Sequence, residues 1–355
     1  MEKRDYAYLL ACTEGAGPLL LRRLLALYGS AEQIFREKTL PVPDSLQTAL
    51  NRAKENGKEK LGERDAWEKE GIRWIGWEEA GYPRRLLTLP DAPMGLFVKG
   101  SLPPEETPSV GIVGARSCSP YGRSMAERFG GGLGQRGLSV ISGMARGIDG
   151  FAQQAALRAG GRSWAVLGCG PDLCYPPGNR RLYAELAEKG GLISEYPPGT
   201  EPLPYHFPLR NRLIAAFSDV LLVLEAREKS GSLITVDQAL EQGKEVMALP
   251  GRVGDDLSAG CNALIRQGAA LLSCCGDVYE LLGMGNSDTA AGDRIRAPLP
   301  ARLEKLWRAV GTDPKHTEEL MSELKEEMGS LSLKLLELEE LGYIRQISGG
   351  CYVRT

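Results

Sequence analysis

Between Tyr6 and about Leu61, apolar residues recur at helical spacing, as at Leu20, Leu24 and Leu27, with breaks at Glu14–Pro18 and Tyr28–Ser30. Such spacing predicts a small helical domain. A charged stretch from Asn51 to Lys69 continues it as a solvated helix, and the Trp74/Trp77 segment followed by Gly81–Gly100, rich in proline and glycine, reads as a connector. From Ser109 the pattern changes to short apolar runs, each followed by a glycine- or serine-rich turn and then by helical periodicity. The predicted strands are Ser109–Ala115, Leu138–Gly143, Ser163–Gly168, Gly191–Glu195, Asp219–Ala226 and Glu245–Gly251. Near-continuous apolar strands alternating with helices predict a parallel sheet covered on both faces, with any ligand at the strands' carboxyl ends. The segment 283–300 is small, polar and proline-containing, so it reads as a linker. Beyond it, three helices and a hairpin turning at Gly349 and Gly350 follow the order of a winged helix. The resulting division is 1–70, 71–282, 283–300 and 301–355.

Composition narrows the chemistry. The chain has 355 residues and a formal net charge of -3, so any nucleic-acid binding must come from a local basic patch. Eight cysteines lie scattered without a CxxC pair and only two histidines, His206 and His316, occur. A disulfide framework, a metal site and Ser-His-Asp catalysis are therefore all poorly supported, and reduced thiols in the cytoplasm are the simplest reading. No apolar stretch approaches the ~20 residues needed to cross a bilayer. The YLLAC segment ending at Cys12 reads as a first helix rather than a leader.

The strand-end turns carry the candidate site. Gly111–Gly122, GIVGARSCSPYG, brings backbone amides, Arg116, Ser117 and Ser119 to one place, without GxGxxG spacing. Ser142–Asp149, SGMARGID, offers Ser142, Gly143, Arg146 and Gly147, with Asp149 placed to orient the following helix. Phe207–Asp219 places Arg210, Asn211 and Arg212 in the first turn of a predicted helix, where cations oppose the macrodipole and call for an anionic partner. Asp149 or Glu195 would serve in a purely structural network; a DNA phosphate is the favoured partner. Ser230 and Ser232 flank Gly231 in another amide-rich turn, and Tyr121, Tyr175, Tyr205 and Phe207 are the candidate base platforms. The terminal domain's third helix, LSLKLLELEELG, carries Glu337, Glu339 and Glu340 but only Lys334. That helix would repel a DNA groove, so the domain reads as a protein-contact or packing module.

The succession GARSCSPYG, SGMARGID, LGCGPDLCYPPGN, ISEYPPG, FPLRNRLIAAFSD, EAREKSGSLIT, ALPG and GCNALIRQGA resembles the DprA/Smf family of DNA-processing proteins from about Tyr82 to Leu282. The resemblance implies an α/β fold: an extended Rossmann-like domain flanked by an N-terminal helical domain like a sterile alpha motif and a C-terminal winged helix. It further implies a cytoplasmic, non-catalytic homodimer, without a cofactor, that binds single-stranded DNA regardless of sequence, protects it and loads RecA recombinase in natural transformation. Arg116, the Ser142–Gly147 turn and Arg210–Arg212 match its DNA-binding elements, and Asn262, Ile265 and Leu271 match its dimer contact. Two positions depart from the family pattern: Ala115 stands where serine is common and Leu209 where a basic residue is, for which Arg180 or Arg181 would compensate. The competing reading is a nucleotide sensor or phosphoribohydrolase-like enzyme using the same pocket. SGSLITVDQ lacks the PGGxGTxxE turn of those enzymes, and its carboxylate, Asp237, is differently placed.

Overall fold

The computed structural model describes residues 1–284, 299–311, 313–347 and 349–354. Most of the expected linker, 285–298, lies outside the described residues. Five helices open the chain: α1 (Lys3–Ala11), α2 (Pro18–Tyr28), α3 (Ala31–Arg36), α4 (Asp44–Glu55) and α5 (Gly57–Lys69). Their apolar stripes close over Tyr8, Leu24, Ile34 and Leu50, and the same cluster takes in Trp74 and Phe97 from the segment that follows.

That segment corrects the expectation of a connector. It contains β1 (Ile72–Gly76) and β2 (Gly95–Gly100), paired antiparallel, with Ile72, Trp74 and Phe97 facing the N-terminal core and Leu96 and Val98 the central one. The six predicted strands are all present, five of them shorter than expected because their terminal residues enter turns and β5 displaced by one residue: β3 (Ser109–Val113), β4 (Ser139–Ser142), β5 (Arg162–Leu167), β6 (Gly191–Ser194), β7 (Val220–Val223) and β8 (Glu245–Ala248). A two-residue β9 (Ala270–Leu271) completes a nine-stranded sheet in the order β1-β2-β6-β5-β4-β3-β7-β8-β9. It is parallel from β6 to β9, and β2 joins β6 antiparallel.

Helices α6 (Pro120–Gln135), α7 (Ile148–Arg158), α8 (Arg180–Lys189) and α12 (Cys275–Leu281) cover one face; α9 (His206–Phe217), α10 (Gly231–Glu241) and α11 (Asp256–Arg266) cover the other. Residues of β7 divide between them, Val220 and Leu222 toward α6 and Leu221 and Val223 toward α9. This is why the run reads as continuously apolar. Helix α6 packs backbone to backbone on α7, since a Cβ on Gly130 would stand 2.1 Å from the Ala152 carbonyl oxygen. The architecture is therefore a Rossmann-like α/β domain behind a helical N-terminal region.

The C-terminal unit runs α13 (Ala301–Ala309), β10 (Lys315–His316), α14 (Thr317–Leu324), α15 (Met328–Glu340), β11 (Ile344–Ile347) and β12 (Cys351–Arg354). It has its own core around Leu306, Leu320, Leu335 and Ile344. It meets the central domain through Arg345 with Glu127, 2.7 Å, and Asp313 with Arg252, 2.6 Å. On α15, Glu337 pairs with Arg302 and Glu339 accepts from the Gln346 N–H, while Leu333 and Leu336 are exposed.

Candidate nucleic-acid interface

The turns after β3, β4 and β5 meet the start of α9 at the carboxyl ends of the strands. After β3, Arg116 is exposed and its guanidinium lies 5.5 Å over the Phe207 ring. Phe207 in turn packs 5.5 Å from Tyr175, which comes from the loop after β5. An exposed cation with the exposed Tyr175 ring nearby is a surface on which a phosphate and a base both find a partner.

The β4 turn is fixed from inside. The Ser142 hydroxyl donates to the Ile112 carbonyl at 2.5 Å, Asp149 accepts the Gly143 N–H at 3.1 Å, and Gln153 accepts the Met144 N–H at 3.0 Å. Asn179 donates to the carbonyls of Met144 and Ala145, 2.9 and 3.2 Å, and so holds the start of α8 against this turn. Arg146, in this turn, and Arg180, the residue after Asn179, are both exposed. Among the described residues no carboxylate pairs with Arg116, Arg146 or Arg180, whereas Arg181 is paired with Glu185.

The arginines of the RNR element are placed differently from the sequence expectation. Helix α9 begins at His206, so Arg210, Asn211 and Arg212 stand beyond its first turn and the macrodipole argument does not apply to them. Arg212 is buried, and its guanidinium meets both Glu195 oxygens, 2.8 and 2.7 Å, and Asp91 Oδ2, 2.7 Å. Burial works against its charge, but the Glu195 hydrogen bonds and charge outweigh it and hold the pKa above the ordinary arginine value. These carboxylates correct its expected role as a phosphate ligand, since they already occupy the donors a phosphate would need.

Arg210 is 4% exposed and donates to the carbonyls of Gly143, 3.2 Å, and Val166. Burial pushes its pKa down, with Asp149 opposing; burial likewise pushes Asp149 up, with Arg210 opposing. Arg210 thus lies beneath Phe207, 5.9 Å from the ring centre, and braces the turn from below instead of facing solvent. A Cβ on Gly143 would stand 2.7 Å from its guanidinium, so the glycine makes room for it. Asn211 accepts from Arg210 Nε at 3.2 Å and remains partly exposed.

Other expected residues fall outside this cluster. Ser119 caps α6 and is bonded to Glu225, and the Tyr121 hydroxyl donates to the Pro250 carbonyl at 3.1 Å, both toward β7 and β8. The Ser230 and Ser232 hydroxyls lie 2.7 Å apart at the start of α10. Asn262 pins the Gly251 N–H and carbonyl, each at 3.1 Å, Ile265 packs against the core, and Leu271, on edge strand β9, is exposed. Sequence reasoning missed Asn179 and the Tyr196–His206 stack, whose ring centres are 4.1 Å apart with Tyr205 edge-on to His206. The aromatic density of YPP and EYPP, before and after α8, was the available signal.

Residues 73–283 match the family model of the DNA recombination-mediator protein A. The chain belongs to that family. Protein Smf of Escherichia coli is 40% identical over 282 residues, which cover 77% of this chain and 75% of the relative. The solved DNA processing protein A of Streptococcus pneumoniae superimposes with a TM-score of 0.65 at 35% identity, covering 78% of this chain and 97% of that one. For the Helicobacter pylori protein the TM-score is 0.55 at 30% identity, covering 60% of this chain and 97% of that one, and its structure was described for its single-stranded DNA binding mode. Within the family frame, the exposed Arg116, Arg146 and Arg180, an arginine rim, and the Tyr175–Phe207 pair lie on the domain that the family match covers. Among the described residues no helix is long and apolar enough to cross a membrane.

Proposed function

We propose that this protein binds single-stranded DNA without reading its sequence, shields it, and passes it to RecA recombinase during DNA recombination or transformation. The supporting observation is the exposed arginines of the strand-end turns, Arg116, Arg146 and Arg180, unpaired with any described carboxylate, with Arg116 set against Phe207 and its neighbour Tyr175. Arginines on a rigid turn attract phosphates wherever the strand runs, and a ring accepts any base face, so such a surface favours strands over particular sequences. The relative from H. pylori, whose structure was described for its single-stranded DNA binding mode, supports the same ligand. In this reading the protein performs no covalent step, works in the cytoplasm, and acts as a homodimer through α11 and β9, which would place two arginine rims on one strand.

Fluorescence anisotropy with a labelled single-stranded oligonucleotide, a duplex control and the Arg116→Ala/Arg146→Ala variant tests the ligand. Salt-sensitive, strand-selective binding that the variant loses supports the reading; equal affinity for duplex, or a variant that binds as wild type does, overturns it. Delivery to RecA is tested by RecA filament formation on strands precoated with a single-strand-binding protein. No acceleration by this protein removes the loading role while leaving DNA binding intact.

A further inference from the structure

The sheet reverses its order between β3 and β7, the position where open α/β sheets hold ligands. A cavity of about 670 Å³ opens there, lined by Tyr121, Glu225, Arg227, Arg252, Leu257 and, from the C-terminal unit, Asp313. It lies on the β7–β8 side of β3, away from the arginine rim, which faces β4, β5 and α9.

The inner wall of this cavity carries a buried carboxylate. Glu225 is 3% exposed; its Oε2 accepts the Ser119 N–H at 2.9 Å and its Oε1 accepts the Ser119 hydroxyl. The Ser119 Oγ also accepts the Gly122 N–H at 3.0 Å, so the carboxylate completes the cap of the 16-residue α6. A Cβ on Gly122 would stand 2.2 Å from Glu225 Oε2, so the first turn of the helix is shaped around this group. Free amides and the positive end of a long helix attract a phosphate. Here that place is filled by the protein's own anion, supplied by the residue two beyond β7.

We propose that Glu225 determines the specificity of this crevice: it is a built-in anion that shuts nucleotides and other phosphate-bearing small molecules out of the switch point. An incoming phosphate meets a like charge where it needs donors, and the Ser119 donors are already engaged. Phosphates are thereby left to the arginine rim on the other side of β3, and a Rossmann-like sheet becomes unsuited to nucleotides without losing its fold.

The test uses the full chain as wild type, Glu225→Ala and Glu225→Gln, with inorganic phosphate and adenosine monophosphate as probes, read by thermal unfolding and by amide NMR of the 119–122 turn. In wild type the amides of the 119–122 turn are expected to show no saturable shift with either probe, while any general stabilisation by phosphate at the arginine rim is common to all three proteins. Glu225→Ala is expected to melt lower and to be restored by millimolar phosphate, which replaces the missing anion. Glu225→Gln, nearly isosteric and uncharged, is expected to stay folded and gain phosphate affinity by about tenfold or more as the like charge is removed. Saturable binding of either probe to the wild-type turn overturns the proposal, and so does a folded Glu225→Gln protein with no gain. Oligonucleotide binding measured on the same samples reports on the arginine rim separately.

Discussion

The guanidinium of Arg116 lies over the ring of Phe207, which itself sits above the buried Arg210. The two arginines have opposite roles: Arg210 is enclosed by carbonyls, and Arg116 is held by one aromatic face with its donors open to solvent. Replacing Arg116 with alanine is expected to weaken single-stranded DNA binding about tenfold to a hundredfold, the loss of about 1.5–3 kcal/mol from one charged hydrogen-bonding group. The slope of log affinity against log salt should also become shallower by about 0.7, one phosphate contact on a single strand. A salt titration by anisotropy checks both; an unchanged slope would mean that Arg116 touches no phosphate.

Arg212 gives the opposite result. Its side chain is 9% exposed and that of Glu195 12%, so removing Arg212 leaves the Glu195 carboxylate buried without its cation. Arg212→Ala is expected to cost about 3–5 kcal/mol and to lower the melting temperature on the order of 10 °C. Oligonucleotide affinity per folded molecule should stay as in wild type. Calorimetry beside anisotropy separates the two readings of the RNR element: a stable variant with lost affinity would restore Arg212 to the phosphate site.

The contrast between these arginines shows where the sequence is informative. The six parallel strands were legible because two-sided burial leaves a run such as Val220–Val223 with no polar position. The edge hairpin of β1 and β2 was not, because its strands are separated by Gly81–Pro93, whose glycine and three prolines look like those of a long loop. Strand-end clustering made the candidate turns legible as neighbours, since turns collect there in any parallel sheet. Which arginine faces outward was hidden, because it depends on where α9 starts and on Glu195 and Asp91, residues 17 and 121 positions away from Arg212. Asn179 was passed over for the same reason: its role lies in two carbonyls more than thirty residues distant.

Gly147 connects the two turns that carry Arg116 and Arg146. Its φ is +76°, and a Cβ there would stand 2.2 Å from the Ala115 carbonyl oxygen and 2.6 Å from that of Arg116. Gly147→Ala combines the strain of a backbone conformation that side-chain-bearing residues avoid, φ +76° with ψ -132°, of about 1–3 kcal/mol, with a collision against the strand-end turn. It is expected to lower both stability and DNA affinity by pushing Arg116 out of place. Gly160→Ala is the control: its φ is +82° but nothing lies within 4 Å of the added carbon, so stability alone should fall. Urea unfolding and anisotropy on both variants decide this, and equal DNA affinity in the two would detach Gly147 from the site.

Stability toward acid is expected to depend in part on Asp277 at the start of α12. Burial opposes its ionisation, but the N–H groups of Ser273 and Cys274, 2.6 and 2.9 Å, and the Ser273 hydroxyl, 2.7 Å, outweigh it and hold the carboxyl below its usual pKa. A folded pKa below the unfolded one means that the unfolded chain binds the proton first as pH falls. The contribution is therefore complete above the unfolded value of about 3.9 and disappears as pH drops through the folded value. Asp277→Asn lacks this titration, so the stability gap between wild type and variant should be constant from pH 7 to about 5 and close below about 4. Urea unfolding at fixed ionic strength across that range measures the gap. A gap that persists undiminished into strong acid would mean that Asp277 acts through the shape of its cap and not through its charge.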